Sequence, residues 1–188
     1  MSMLRIISGT YKGRKLREAA FETTRPTTDR NKEKLFNILG QYFDGGRALD
    51  LFAGSGALGL EALSRGMDCV WFIEIDPKTY RVLRDNVESF GLGSSPSVVT
   101  RMQDGIDFIR TTSEKFDLVF LDPPYASGLV HSALEQISSR SVLNDSGVVV
   151  AENDKKTLPF TEVGDLVAFR DAVEGNTRFT FFRWRDAL

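Results

Sequence analysis

Apolar positions along the chain alternate between two spacings. Over Leu35, Ile38, Leu39, Tyr42 and Phe43 they recur at i, i+3, i+4, i+7 and i+8, which predicts an amphipathic helix. A threonine of the 27–28 pair is placed to cap it, Asp29 suits the positive end of its dipole, and Gly45-Gly46 is the expected stop. Lys32 and Lys34 are expected on its solvated side. Short apolar runs at 48–51, 69–74, 97–100, 116–121, 147–151, 166–172 and 178–184 read as strands. Helical stretches fall between the first five, at 60–63, after Asp76-Pro77 up to Gly91, at 106–110 and at about 127–139. Ahead of all these, residues 4–8 and 14–16 flank a glycine-punctuated turn at 9–13, the pattern of a β-hairpin.

Strands alternating with helices predict an α/β fold: a mostly parallel seven-stranded sheet, right-handed crossovers, and helices on both faces. The Glu174-Gly175-Asn176 corner adds a C-terminal antiparallel hairpin at the sheet edge. The chain then divides into an N-terminal hairpin extension, residues 1–28, and an α/β domain, residues 29–188.

Composition narrows the function classes. With 188 residues, 41% hydrophobic and 27% charged, the chain is that of an ordinary globular domain. No apolar run approaches a membrane span and residues 1–5 carry no signal-peptide core, so a cytoplasmic protein without membrane association is expected. One cysteine (Cys69) and one histidine (His131) argue against a disulfide and against a Cys/His zinc site, and no metal is expected. Charge is uneven. Residues 1–34 hold nine basic and four acidic side chains, a net +5, and the rest carries −7. A basic arm on an acidic body fits a polyanion-binding appendage, and Lys12, Arg14, Lys15, Arg25 and Arg30 are its candidate phosphate contacts.

The centre of the chain is Asp50-Leu51-Phe52-Ala53-Gly54-Ser55-Gly56-Ala57-Leu58-Gly59, a strand, a glycine turn and a helix start. Such turns hold nucleotide-like ligands, because the backbone approaches closely and helix N–H groups face the crevice. Gly54, Gly56 and Gly59 satisfy the dinucleotide fingerprint, with Glu74 near the expected spacing. Asp50, however, would repel a pyrophosphate and suits a ligand with an ammonium and a sulfonium. Asp122-Pro123-Pro124-Tyr125 also has no task in hydride transfer. S-adenosylmethionine is therefore favoured over NAD. Asp50, Glu74, Asp104 and Asp122 all fall at predicted strand C-termini and are expected to line one crevice.

Asp50 to Gly56 resembles the cofactor motif of class I methyltransferases, and Asp122-Pro123-Pro124-Tyr125 the catalytic motif of amino-methyltransferases. Over nearly its whole length the chain resembles the RsmD-like family of bacterial small-subunit (16S) ribosomal RNA guanine-N2 methyltransferases. The resemblance includes residues 5–9 and 13–16 of the arm, 25–30 with Glu33 and 35–37, and the long run 52–66. It departs at residues 175–178, where a tyrosine-glycine pair is expected.

The resemblance implies a Rossmann-like class I methyltransferase fold and S-adenosylmethionine as methyl donor. Asp50 would hold the ammonium, directly or through water, and Phe52, Ala53, Gly54, Ser55 and Gly56 would line the cofactor. Glu74 would bond the ribose hydroxyls, Ile75 would pack on adenine, and Asp104 with Gly105 would read its amino edge. Asp122 and the Pro123 carbonyl would accept the two N–H bonds of an exocyclic base amine, held rigid by Pro124, while Tyr125 stacks on the flipped base. The motif alone admits adenine N6, cytosine N4 or guanine N2, and guanine in ribosomal RNA, free or in an assembling particle, follows from the resemblance. A monomer is expected. A nicotinamide oxidoreductase and a non-catalytic RNA-binding assembly factor remain the competing classes.

Overall fold

The computed structural model describes residues 4–18, 28–124 and 128–187. Eight strands form one sheet: β1 (Arg47–Asp50), β2 (Cys69–Glu74), β3 (Val98–Met102), β4 (Phe116–Leu121), β5 (Leu143–Asp154), β6 (Glu162–Val163), β7 (Leu166–Glu174) and β8 (Thr177–Trp184). Their order is β3-β2-β1-β4-β5-β8-β7-β6. β1 to β5 pair in parallel, and β8, β7 and β6 continue antiparallel. The expected seven strands are thus joined by the two-residue β6. β5 also exceeds its apolar run, because its first residues carry the polar Asn144, Asp145 and Ser146.

The helices are α1 (Asp29–Leu39), α2 (Ala57–Ser64), α3 (Pro77–Ser89), α4 (Gly105–Thr111) and α5 (Leu129–Arg140). Each strand sends alternate side chains into two apolar layers, as its period of two requires. Ala48, Val70, Phe72 and Phe120 pack with Leu35 and Phe36 of α1, Leu60 of α2 and Leu83 of α3. Leu49, Ile73, Val119 and Leu121 pack with Phe108 of α4 and Leu134 and Ile137 of α5.

Two expectations for α1 need correction. The helix stops at Leu39 because Gly40, at φ 117°, takes the cap and donates its N–H to the Phe36 carbonyl. Tyr42 therefore leaves the apolar stripe and is 65% exposed. Lys32 is not solvated either: it is fully buried, beside Glu61 of α2 at 3.3 Å. Its position explains this, since it lies three and four residues before Leu35 and Phe36 and so faces the core with them. The cap itself is Thr28, whose hydroxyl accepts from the Asn31 N–H.

The N-terminal segment pairs as a hairpin, with Arg5 opposite Lys15 and hydrogen bonds from Ile6 to Arg14 and from Leu16 to Leu4. Leu4, Ile6 and Leu16 enter the same apolar layer as α1, α2 and α3.

Candidate active site

The sheet reverses its order between β1 and β4, and ligands of such sheets sit outside the strand C-termini at that point. Asp50 is the last residue of β1 and Glu74 the last of β2. Asp104 follows β3 by two residues and Asp122 follows β4 by one. Since β3, β2, β1 and β4 are consecutive neighbours, the four acids share one edge of the sheet. The expected crevice is therefore assembled from four separate βα connections.

Its floor is the turn between β1 and α2. Asp50 is almost fully buried, and its carboxylate accepts from the Gly59 N–H at 3.0 Å. It thereby caps α2, whose N-cap, Gly56, has no side chain to do so. Gly59 must be glycine for packing: a Cβ there would lie 2.3 Å from the Phe72 ring. The third glycine of the fingerprint thus brings helix and strand together, a task separate from ligand contact.

Glu74 closes the turn from the side. One carboxylate oxygen accepts from the Gly54 N–H at 2.9 Å and the other from the Asp76 N–H at 2.8 Å. Burial pushes its carboxyl above the usual range, against the pull of those two N–H bonds. Each oxygen still has a lone pair for a further donor. Beyond it, Ile75 is 62% exposed, and Met102, opposite Glu74 on β3, is exposed as well. Two bare apolar side chains beside a half-buried carboxylate suit a ligand with a flat apolar face and a diol. These residues fit the adenosine part of S-adenosylmethionine in this respect, Glu74 as acceptor and Ile75 and Met102 as apolar surface.

Asp104 is the N-cap of α4, accepting from the Asp107 N–H at 2.9 Å. Gly105 sits against the Leu51 carbonyl and the Phe52 ring, so a Cβ would crowd both. On the β4 side, Asp122 is half-buried, Pro123 buried and Pro124 exposed. Tyr125, expected to stack on the base, lies outside the described residues, as does Arg25 of the arm. Lys12 and Lys15 are exposed at the hairpin. Arg14 donates to the Ser89 carbonyl and lies 4.6 Å over the Phe90 ring, and Arg30 is exposed, 3.9 Å from Glu174. Lys12, Arg14 and Lys15 belong to the hairpin, and Arg30 belongs to α1.

Residues 4–183 match the model of the family described as conserved hypothetical protein 95. The chain belongs to that family. Its relatives include YlbH of Bacillus subtilis, provisionally named an rRNA methyltransferase, 41% identical over 97% of this chain and 100% of the relative. Ribosomal RNA small subunit methyltransferase D of Escherichia coli K12 is 32% identical over 96% of this chain and 89% of its own length. The solved structure of yhhF from Escherichia coli, provisionally titled a methyltransferase, is 31% identical and superposes with a TM-score of 0.81. It covers 97% of this chain and 98% of that one. The Rossmann-like methyltransferase fold read from the sequence is the fold of this family.

Three buried polar residues escaped the sequence reading. Glu61 of α2 is buried and pairs with both Lys32 and Arg65, the C-cap of α2, and Asn86 of α3 is buried among polar partners. The available signal was positional, because Lys32 and Glu61 both lie within apolar helical stripes. Among the described residues no cluster of His, Cys, Asp and Glu suits a metal ion, and no helix is long and apolar enough to cross a membrane.

Proposed function

We propose that this protein transfers a methyl group from S-adenosylmethionine to the exocyclic N2 amine of a guanine in small-subunit ribosomal RNA, in the cytoplasm. The observation that carries this reading is the position of Asp122-Pro123-Pro124. The motif leaves β4 directly beside β1 and its glycine turn, at the switch point. The names of the relatives support ribosomal RNA as the substrate, and the choice of guanine N2 rests on the family resemblance.

S-adenosylmethionine, when bound, supplies an electrophilic methyl group on a sulfonium. The chain's own residues provide orientation and electrostatics. Glu74 takes the ribose hydroxyls, Ile75 covers adenine, Asp104 and Gly105 bound its amino edge, and Phe52 to Gly56 line the cofactor backbone. Asp50 places negative charge under the turn, on the side of the ammonium. Asp122 and the Pro123 carbonyl accept the two N–H bonds of the base amine, so its lone pair points at the methyl carbon. The bound cofactor would supply the methyl group and keep the C–S electron pair on sulfur, and the amine nitrogen would shed one proton, to Asp122 or to water. Tyr125 stacks on the base, and residues 1–28 with Arg30 hold RNA phosphates. Methyl groups from tritiated S-adenosylmethionine should map to one guanine when the protein is given small-subunit particles from a strain lacking it. Label on adenine or cytosine would exclude guanine N2, and no label on RNA would exclude the reading.

Two consequences can be measured separately. Glu74→Ala should weaken S-adenosylmethionine binding by about 1.5–3 kcal/mol, the range for hydrogen bonds to a charged group, while cofactor-free RNA affinity hardly changes. Because the Glu74 carboxyl lies above its usual range, wild-type cofactor affinity should fall on acidification while an ordinary glutamate is still ionised. Calorimetry across pH tests both, and an unchanged affinity in the variant would remove Glu74 from the site.

The arm makes a different demand. Lys12→Ala, Arg14→Ala and Lys15→Ala together should flatten the log–log salt dependence of RNA binding by about 2, at roughly 0.7–0.9 per lost phosphate contact. Cofactor binding should persist, and circular dichroism must confirm folding. A slope equal to wild type would leave these charges as a solvated face.

A further inference from the structure

The hairpin arm rests on α2 and α3, two of the helices whose N-termini border the crevice. Glu61 of α2 accepts from the Ile7 and Ser8 N–H groups at 2.9 and 3.0 Å. Ser64, one turn on, donates to the Ser8 carbonyl and accepts from the Tyr11 N–H. Gly9 sits so close that a Cβ would fall 1.8 Å from the Ser64 carbonyl oxygen. At α3, the Tyr11 ring meets Phe90, the C-cap of that helix, edge-on, and Arg17 pairs with Asp85.

Asn86 joins these contacts to the crevice itself. The residue is 1% exposed. Its Oδ1 accepts from the Arg17 N–H at 2.8 Å, and its Nδ2 donates to the Arg17 carbonyl at 3.0 Å and to the Ser55 carbonyl at 2.9 Å. One buried amide therefore holds both backbone groups of an arm residue and a carbonyl of the glycine turn. An amide has two donors and an acceptor pair, so this geometry spends both of its N–H bonds on the two segments. No aspartate or aliphatic residue of similar volume reproduces it.

We infer that Asn86 is a positioning residue that couples the RNA-binding arm to the cofactor turn, so that each ligand tightens the binding of the other. This rests on the methyltransferase reading above. A cofactor lying along Phe52 to Gly56 orders the Ser55 carbonyl, and through Asn86 the backbone at Arg17. RNA held on the arm orders Arg17 and, by the same bonds, Ser55. Coupling between two sites is reciprocal by thermodynamic necessity, so either direction can be measured.

The test uses the full-length protein, in vitro transcribed small-subunit ribosomal RNA and S-adenosylhomocysteine. Saturating S-adenosylhomocysteine should tighten wild-type RNA binding by about fivefold or more, the lower end of ordinary allosteric coupling. Asn86→Leu should reduce this ratio to about 1, although each ligand still binds alone. Asn86→Asp keeps the acceptor for the Arg17 N–H but loses both donors, and should uncouple the sites equally. A purely structural role would weaken binding or folding and leave the ratio intact. A wild-type ratio of 1, or an unchanged ratio in either variant, overturns the coupling. Wild-type protein that binds neither S-adenosylhomocysteine nor S-adenosylmethionine overturns the methyltransferase reading as well, so the two failures are distinguishable.

Discussion

Asp122→Ala should retain most of its cofactor affinity and lose methyl transfer by at least about a hundredfold, the loss that follows removal of one preorganised acceptor at a developing charge. An exocyclic amine is a poor nucleophile because its lone pair is delocalised into the ring. Acceptors fixed on both N–H bonds oppose that delocalisation and aim the lone pair. The backbone contributes one of them through Pro123, which mutation of Asp122 leaves in place, so the variant should be slow rather than dead. Asp122→Asn keeps a carbonyl oxygen at the same position and should recover part of the rate. If Asp122 also takes the departing proton, the asparagine variant will fall well below wild type despite normal orientation. Single-turnover rates with saturating cofactor separate these cases. A near-wild-type rate for the alanine variant would remove Asp122 from the mechanism.

The parallel half of the fold was legible because its signals are local. Each strand from β1 to β4 is a short apolar run with an acid at or just past its end, and two of the helices that follow, α3 and α4, open with a side-chain cap, whereas α2 and α5 start at glycines. Thr28, Asp76 and Asp104 all serve as N-caps. The placing of Asp50, Glu74, Asp104 and Asp122 along one edge of the sheet was legible for the same reason, since the C-termini of parallel strands lie on the same side. What escaped was set by tertiary contact. Lys32 reads as a surface charge until Glu61 arrives from α2 to meet it. Gly40 ends α1 five residues before the more conspicuous Gly45-Gly46. β5 begins early because its Leu143 pairs with Phe116 of β4, and the polar Asn144, Asp145 and Ser146 fall in the register shift before Val148 pairs with Leu118. Asp104 shows a further limit of sequence spacing: its carboxylate caps α4, so its place at a strand end has a structural cause of its own.

The buried charges predict the largest stability effect. Glu61 accepts from the Ile7 and Ser8 N–H groups, from Arg65 at 2.9 Å and from Lys32 at 3.3 Å, with none of its side chain exposed. Lys32 also donates to the Arg5 carbonyl, and Arg65 donates to the Gln41 carbonyl while lying over the Phe36 ring. Burial holds the Lys32 ammonium below its usual pKa, and Glu61 is the chief group opposing that shift. Glu61→Leu would leave one ammonium, one guanidinium and two arm N–H groups without their shared acceptor. Removing one partner of a buried pair costs about 3–5 kcal/mol. For a chain of this length that corresponds to roughly 6–20 °C in Tm. Adding Lys32→Met should restore part of the loss, because the uncompensated ammonium is then gone, while Arg65 and the arm N–H groups remain unsatisfied. The double variant should therefore melt above Glu61→Leu and below wild type. A Glu61→Leu protein that melts with wild type would show that water or a shifted Lys32 replaces the carboxylate, and that this node does not hold the arm to α2.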